Sequence, residues 1–246
     1  HPDVLFLAEA FTRPKIMNEL AKQGFSQSYT YFTWRDSKKE LTDYVTELTQ
    51  TEQKEFYRPN FWPNTPDINP FALQSGNESV HLQKYFLAAT LSSSVGIYGP
   101  VFEYRVCEPM AAGKEEYLNS EKYEYYHWDW SIQNKLTTLI TRINAIRNEQ
   151  ASLQQTNNIT FCDTNNEQVM AYYKYDDTRD NETLMVVSLD AFNNAQAMVR
   201  IPIEQLGNQP LKVEDLITGN TYYWDKEWNF VELSPAMPFH LFKIIR

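Results

Sequence analysis

The chain has 246 residues, of which 42% are apolar and 15% aromatic, and its formal net charge is −10. This apolar content suffices for the core of one large or two smaller domains. The acidic balance argues against a nucleic-acid or membrane-surface partner, because both require clustered lysine and arginine. No apolar run reaches the roughly 20 residues of a membrane helix. Two cysteines, Cys107 and Cys162, cannot form a disulfide framework, so we expect a reduced, cytoplasmic protein.

The first part of the chain alternates predicted strands and helices. Residues 4–10 are a near-continuous apolar stretch, typical of a strand buried on both faces of a parallel sheet. Ser37 and Glu40 have the spacing of a capping box, which predicts a helix start. The predicted strands are residues 4–10, 25–34, 58–61 and 95–98, and the predicted helices are 15–22, 37–54, 79–91 and 136–146. Four successive βα units are half of an eightfold barrel.

The second part of the chain changes to a period of two. Six short apolar or alternating segments are predicted as strands, at residues 169–175, 184–189, 198–203, 211–216, 221–224 and 239–245. Strands at this spacing, separated by Asp, Asn and Gly turns, favour an antiparallel sandwich. We therefore predict an α/β plus all-β protein: residues 1–155 form the C-terminal half of a (β/α)8 TIM barrel, and residues 156–246 form a β-sandwich domain.

Two carboxylates stand where a barrel of this kind places its chemistry, at the C-terminal ends of strands. Glu9 ends the first predicted strand, and Asp67 follows the third. A carboxylate closing an apolar strand is costly to bury without a partner, so it should face a site. Paired carboxylates perform glycosidic chemistry, one as proton donor and one beside the developing positive charge. We expect both to leave neighbouring strands at one rim; the alternative is an ion pair for Glu9 and a turn cap for Asp67.

Four long segments of the sequence resemble the maltosyltransferases of glycoside hydrolase family 13. They are residues 6–14 (FLAEAFTRP), 25–35 (FSQSYTYFTWR), 58–70 (RPNFWPNTPDINP) and 115–124 (EEYLNSEKYE). The resemblance implies a retaining, double-displacement reaction that moves maltose from maltose 1-phosphate to the non-reducing end of an α-1,4-glucan. It also implies a C-terminal sandwich. The four histidines are far apart in the sequence, so we expect no metal site, and we expect no other cofactor.

The resemblance also assigns roles to individual residues. Glu9 matches the general acid/base, and Asp67 matches the carboxylate that stabilises the transition state. Lys122 is similar to a donor-site sugar contact, although its position also suits a solvated loop lysine. Pro66 replaces the histidine usual in amylases of the family. Further candidate substrate contacts are Trp62, Asn64 and Tyr123.

One catalytic group of the family has no counterpart here, because its nucleophilic aspartate lies on the strand before the one that ends in Glu9. We therefore expect the chain to be inactive alone. The open sheet edges of half a barrel predict association with another copy or with an N-terminal half, and we expect a homodimer of the full-length protein. The alternatives are an amylase-type hydrolase or transglycosylase of family 13, or a non-catalytic glucan-binding or structural module.

Overall fold

The computed structural model describes residues 1, 3–207 and 210–245 of the chain. Its first part, here called the α/β part, contains a parallel sheet in the order β1-β2-β3-β4. The strands are β1 (Leu7–Ala8), β2 (Gln27–Tyr29), β3 (Pro59–Phe61) and β4 (Ser94–Val95). The helices are α1 (Pro14–Lys22), α2 (Lys38–Gln50), α3 (Gln53–Phe56), α4 (Glu78–Leu91) and α5 (Lys135–Glu149). Each strand is followed by helix, as predicted, and every strand end therefore reaches the same rim.

The strands of the α/β part are shorter than the sequence predicts. Residues 25–34 contain β2 and then a 3-10 turn at Tyr31–Trp34, and residues 37–54 are interrupted at Thr51, between α2 and α3. The prediction for residues 4–10 is wrong in both extent and burial. Only Leu7 and Ala8 are strand, and residues 4–7 are between 48% and 73% exposed. The physical reason is position, because β1 is an end strand of its sheet in the described part of the chain.

The second part, here called the all-β part, is built from antiparallel strands. Six form a sheet in the order β10-β9-β12-β7-β6-β5, and β11 pairs with β8. The elements are β5 (Ile159–Cys162), β6 (Val169–Tyr175), β7 (Glu182–Ser188), β8 (Ala195–Arg200), α6 (Ile203–Leu206), β9 (Leu211–Asp215), β10 (Thr221–Trp224), β11 (Trp228–Leu233) and β12 (Phe239–Ile245). A separate apolar cluster is formed by residues from both sheets. This arrangement fits the predicted sandwich.

Two strands of the all-β part, β5 and β11, were not predicted. β5 is only four residues long, so its pattern is too short to recognise. In β11 the alternation is inverted: Asn229 is buried, whereas Trp228 and Phe230 are exposed. The predicted strand at 198–203 lies earlier, at β8, because Pro202 cannot donate to a ladder.

The two parts share one hydrophobic core. Residues from α2 and α4 belong to the same buried cluster as Tyr172 of β6 and Leu241 of β12. At its centre Phe86 of α4 stacks on Phe239 of β12, with ring centroids 4.1 Å apart and planes 6° from parallel. The two rings are 0% and 2% exposed. Separating the parts would therefore expose apolar surface on both.

The predicted capping box of α2 is present. Glu40 donates its backbone N–H to Ser37 Oγ at 3.3 Å, and Ser37 donates its own N–H to Glu40 Oε2 at 3.1 Å. This bonding also holds the pKa of Glu40 below its ordinary value, through the Ser37 side chain first. The helix then buries Leu41, Val45 and Leu48 against the core.

Replacing the capping serine tests how much this helix start contributes. Ser37→Ala is expected to lower the free energy of unfolding by about 0.5–2 kcal/mol, because it leaves a helix N–H without its acceptor. Urea unfolding measures the change. Gln50→Ala, at the exposed end of the same helix, is the control and should lie within about 0.5 kcal/mol of wild type. Equal stabilities of the two variants would contradict the role of the cap.

Among the described residues, no helix is both long and apolar enough to cross a membrane.

Candidate functional site

Three predicted site residues meet at the rim where the parallel strands end. Glu9 follows β1, Asp67 lies in the turn after β3, and Lys122 lies on the long connection between β4 and α5. The Lys122 Nζ atom is 2.5 Å from Asp67 Oδ1 and 3.8 Å from Glu116 Oε1. Glu9 is close enough to be influenced by the charges of both Asp67 and Lys122. The structure thus brings together a carboxyl group, a second carboxylate and an ammonium group.

The prediction that Glu9 and Asp67 leave neighbouring strands is wrong. Glu9 follows β1 and Asp67 follows β3, and β2 lies between these two strands. The two residues still lie at the same rim, since all four strands are parallel. The intervening strand ends at Tyr29.

The electrostatics of the rim distinguish the two carboxylates. Burial raises the pKa of Glu9 above its ordinary value, the charge of Asp67 raises it further, and the charge of Lys122 opposes both. The pKa of Lys122 is itself raised, mainly by its hydrogen bond to Asp67. The raised pKa distinguishes Glu9 from Asp67, whose carboxylate forms an ion pair with Lys122. A carboxyl group with a raised pKa beside a second carboxylate is an arrangement that general acid catalysis uses.

Aromatic side chains form a wall beside Glu9. Tyr29 stacks on Trp62, with ring centroids 4.7 Å apart and planes at 26°. Phe11 packs edge-on against Trp34 at 5.0 Å, and the Trp34 indole donates to Glu115 Oε1 at 2.8 Å. Trp62, which is a predicted substrate contact, is half-buried, and Tyr29 covers one face of its ring.

Asn64 and Tyr123 have contrasting environments. Asn64 is 1% exposed, and its side chain donates to Tyr98 O at 3.2 Å and to Tyr117 Oη at 2.9 Å while accepting from Tyr98 N at 3.0 Å. It therefore holds the loop that carries Asp67 and does not face the rim. Tyr123 is 77% exposed, and Lys122 Nζ lies 5.8 Å from its ring centroid.

The aromatic loop at residues 123–130 is largely exposed. Tyr125 is 85% and Trp130 69% exposed. The loop is anchored by polar contacts, including Trp128 Nε1 to Glu121 Oε1 at 2.9 Å. A cavity of about 200 Å³ lies beside it, lined by Pro66, Lys122, Tyr123 and neighbouring loop residues. A larger cavity of about 670 Å³, between α4 and residues 189–193, contains neither rim carboxylate and is not part of this site.

Tyr29 and Glu116 are the rim residues that the sequence did not single out. Glu116 lies inside a segment that resembles the family, yet nothing in the pattern shows that it faces Lys122. Tyr29 ends the observed strand β2, but it lies inside the longer strand predicted at residues 25–34, so the rule that barrel strands end at the site did not find it.

Known proteins resemble this chain in sequence. A family model described as "GLGE, C-terminal" matches residues 161–244. The α-1,4-glucan:maltose-1-phosphate maltosyltransferase of Chlorobaculum tepidum is 48% identical over 99% of this chain, and that of Methylacidiphilum infernorum is 47% identical over 99%. This chain spans 38% and 37% of the length of these two curated relatives.

A solved structure supports the fold independently. The α-amylase of Geobacillus thermoleovorans has a TM-score of 0.73 at 14% sequence identity, covering 100% of this chain and 54% of that one. At this identity the likeness concerns the fold alone. The fold of this chain is therefore one that an α-amylase also has.

The sequence is more specific than the fold. Over nearly its whole length the chain is similar to a C-terminal part of the α-1,4-glucan:maltose-1-phosphate maltosyltransferases. The resemblance predicted from the four sequence segments is confirmed.

Proposed function

We propose that this chain supplies part of the active site of a retaining transferase, which moves maltosyl units from maltose 1-phosphate to the non-reducing end of α-1,4-glucans. The observation that carries the proposal is the convergence of Glu9, Asp67 and Lys122 at one rim. Residues 1–155 would be half of a (β/α)8 barrel, and residues 156–246 the sandwich domain that supports it.

The proposed roles follow from the charges at the rim. Glu9, with its raised pKa, protonates the departing phosphate oxygen and later removes the proton of the acceptor hydroxyl. Asp67 holds the sugar while positive charge develops at the anomeric carbon. Lys122 fixes Asp67 through their ion pair, and Tyr123 lies beside it as a sugar contact. Trp62 contributes mainly through the aromatic wall, and Asn64 through the loop that it anchors.

The nucleophile and the phosphate-binding groups are proposed to come from outside the 246 residues. In the family the nucleophilic aspartate lies on the strand that would pair with the open edge of β1. The exposed apolar residues 4–7 at that edge support this reading, because a pairing strand would cover them. Association of two copies in the full-length protein remains part of the same proposal.

A chimera tests the function directly. The corresponding part of the Chlorobaculum tepidum relative is replaced by this chain, and phosphate release from maltose 1-phosphate is measured with and without glycogen. We expect glycogen-dependent phosphate release by the chimera and none by the 246-residue chain alone. A folded chimera without phosphate release would contradict the transferase, and turnover by the chain alone would contradict the incomplete site.

The same preparation separates the alternatives. A family 13 hydrolase would release maltose or glucose from maltoheptaose without any need for the phosphorylated donor. A non-catalytic module would bind glucan in the full chain without any dependence on Glu9 or Asp67. Because the two parts share a core around Phe86 and Phe239, binding is measured on the whole chain and not on separated parts.

A further inference from the structure

Tyr29 stands next to Glu9 because of the register between the first two strands. Leu7 is paired with Gln27 and Ala8 with Ser28 in the parallel ladder. The next residues along these strands, Glu9 and Tyr29, therefore emerge side by side at the rim. The charge of Glu9 is among the causes that raise the pKa of Tyr29, after burial, which agrees with this proximity.

The ring of Tyr29 is held on its other sides by aromatic neighbours. Trp62 stacks on it at 4.7 Å, and the Phe11 ring lies 6.0 Å away at 60°. Within the described part of the chain, its hydroxyl makes no hydrogen bond, so the ring contacts fix its position. The phenol stays protonated at neutral pH, because both burial and the nearby charge disfavour its ionised form.

Trp62 is in turn held by the end of the fourth strand. Its indole fills the space beside Gly96, where a Cβ atom would overlap the ring. Gly96 is fixed by its own N–H, which donates to Phe61 O at 3.0 Å. Gly96, Trp62, Tyr29 and Glu9 thus form a row across the rim, with one residue at or just beyond the end of each parallel strand.

From this row we infer that Tyr29 is a positioning residue for Glu9. The strand register places its stacked ring beside the exposed residue Glu9, and Gly96 and Trp62 support that ring. The inference rests on the proposed function, in which Glu9 is the general acid/base. Its physical content, that the ring sets the environment of the carboxyl, is measurable without turnover.

The test is a titration of Glu9 by NMR in the 246-residue chain. Glutamate is labelled with ¹³C at the carboxyl, and the Glu9 signal is assigned by its loss in Glu9→Gln. Tyr29→Ala is expected to lower the titration midpoint of Glu9 by about half a unit or more, because losing the neighbouring ring reduces the partial burial that raises the pKa of this carboxyl. Tyr29→Phe keeps the ring and should leave the midpoint within about 0.2 units of wild type.

Two further variants make the result decisive. Trp62→Ala should shift the midpoint in the same direction as Tyr29→Ala, since it removes the support of the ring. Tyr223→Ala, at a 74% exposed tyrosine of β10, is the control and should leave it unchanged.

An unchanged midpoint in Tyr29→Ala would overturn the inference. If that variant does not fold, Tyr29→Leu gives the same comparison with a smaller expected shift, and an unchanged midpoint there would also overturn it. Phosphate release by the chimera is a separate measurement. A failure there leaves this titration standing, and a failed titration leaves the transferase proposal standing.

Discussion

Replacing Glu9 by Gln is expected to lower phosphate release by the chimera about 10²–10⁴-fold, the usual contribution of a general acid/base. The amide has nearly the same shape as the carboxyl but cannot give a proton to the departing phosphate oxygen. The loss should appear mainly in kcat, because the proton transfer belongs to the transition state and not to the binding of the donor. Initial rates with maltose 1-phosphate and glycogen measure it.

The matched control for this prediction is Glu167→Gln, an exposed glutamate of the all-β part. That variant should keep the wild-type rate. Asp67→Asn should also be severely impaired, and it additionally removes the charge that pairs with Lys122. A Glu9→Gln chimera with more than about a tenth of the wild-type kcat would exclude Glu9 as the acid/base.

Replacing Phe239 by Ala is expected to lower the free energy of unfolding of the chain by about 3–5 kcal/mol, the range for large aromatic truncations in a core. The ring is 2% exposed and stacks at 4.1 Å on Phe86 of α4, so its loss leaves a cavity between the two parts. Phe230→Ala is the matched control, because that ring is 58% exposed on β11. The control should change stability by no more than about 0.5 kcal/mol.

The shared core also predicts how the chain unfolds. Helix content at 222 nm reports mainly on the α/β part, and hydrogen exchange of β6 and β7 amides reports on the all-β part. Both probes should give one common urea transition, and Phe239→Ala should move both together. Two separate transitions, with only the all-β one moved by the substitution, would show that the core does not couple the parts.

Local patterns were sufficient to predict most elements of the fold. The capping box of α2 and the apolar stripe of α5 are readable because helix signals lie within a few residues of each other. The long strands β6 and β12 could be predicted because they are rich in the apolar and aromatic residues that strands favour. The four family-like segments then identified Glu9 and Asp67.

The contacts that make the site could not be predicted in this way. The ion pair between Lys122 and Asp67 joins a long loop to a turn, and no periodicity specifies such a contact. The position of Tyr29 beside Glu9 depends on the register of two strands that are only two and three residues long. The exposure of residues 4–7 was misjudged because apolar composition shows what a strand can bury and not whether a neighbour is present.

The unpaired side of β1 has a consequence for how chemistry and assembly are related. A parallel strand added there would extend the ladder by one row and bring its own final side chain to the flank of Glu9 opposite Tyr29. The hydrogen bonds that complete the sheet would thus also deliver the next reactive group. Pairing of that strand with β1 would then extend the sheet and complete the proposed catalytic site in the same step.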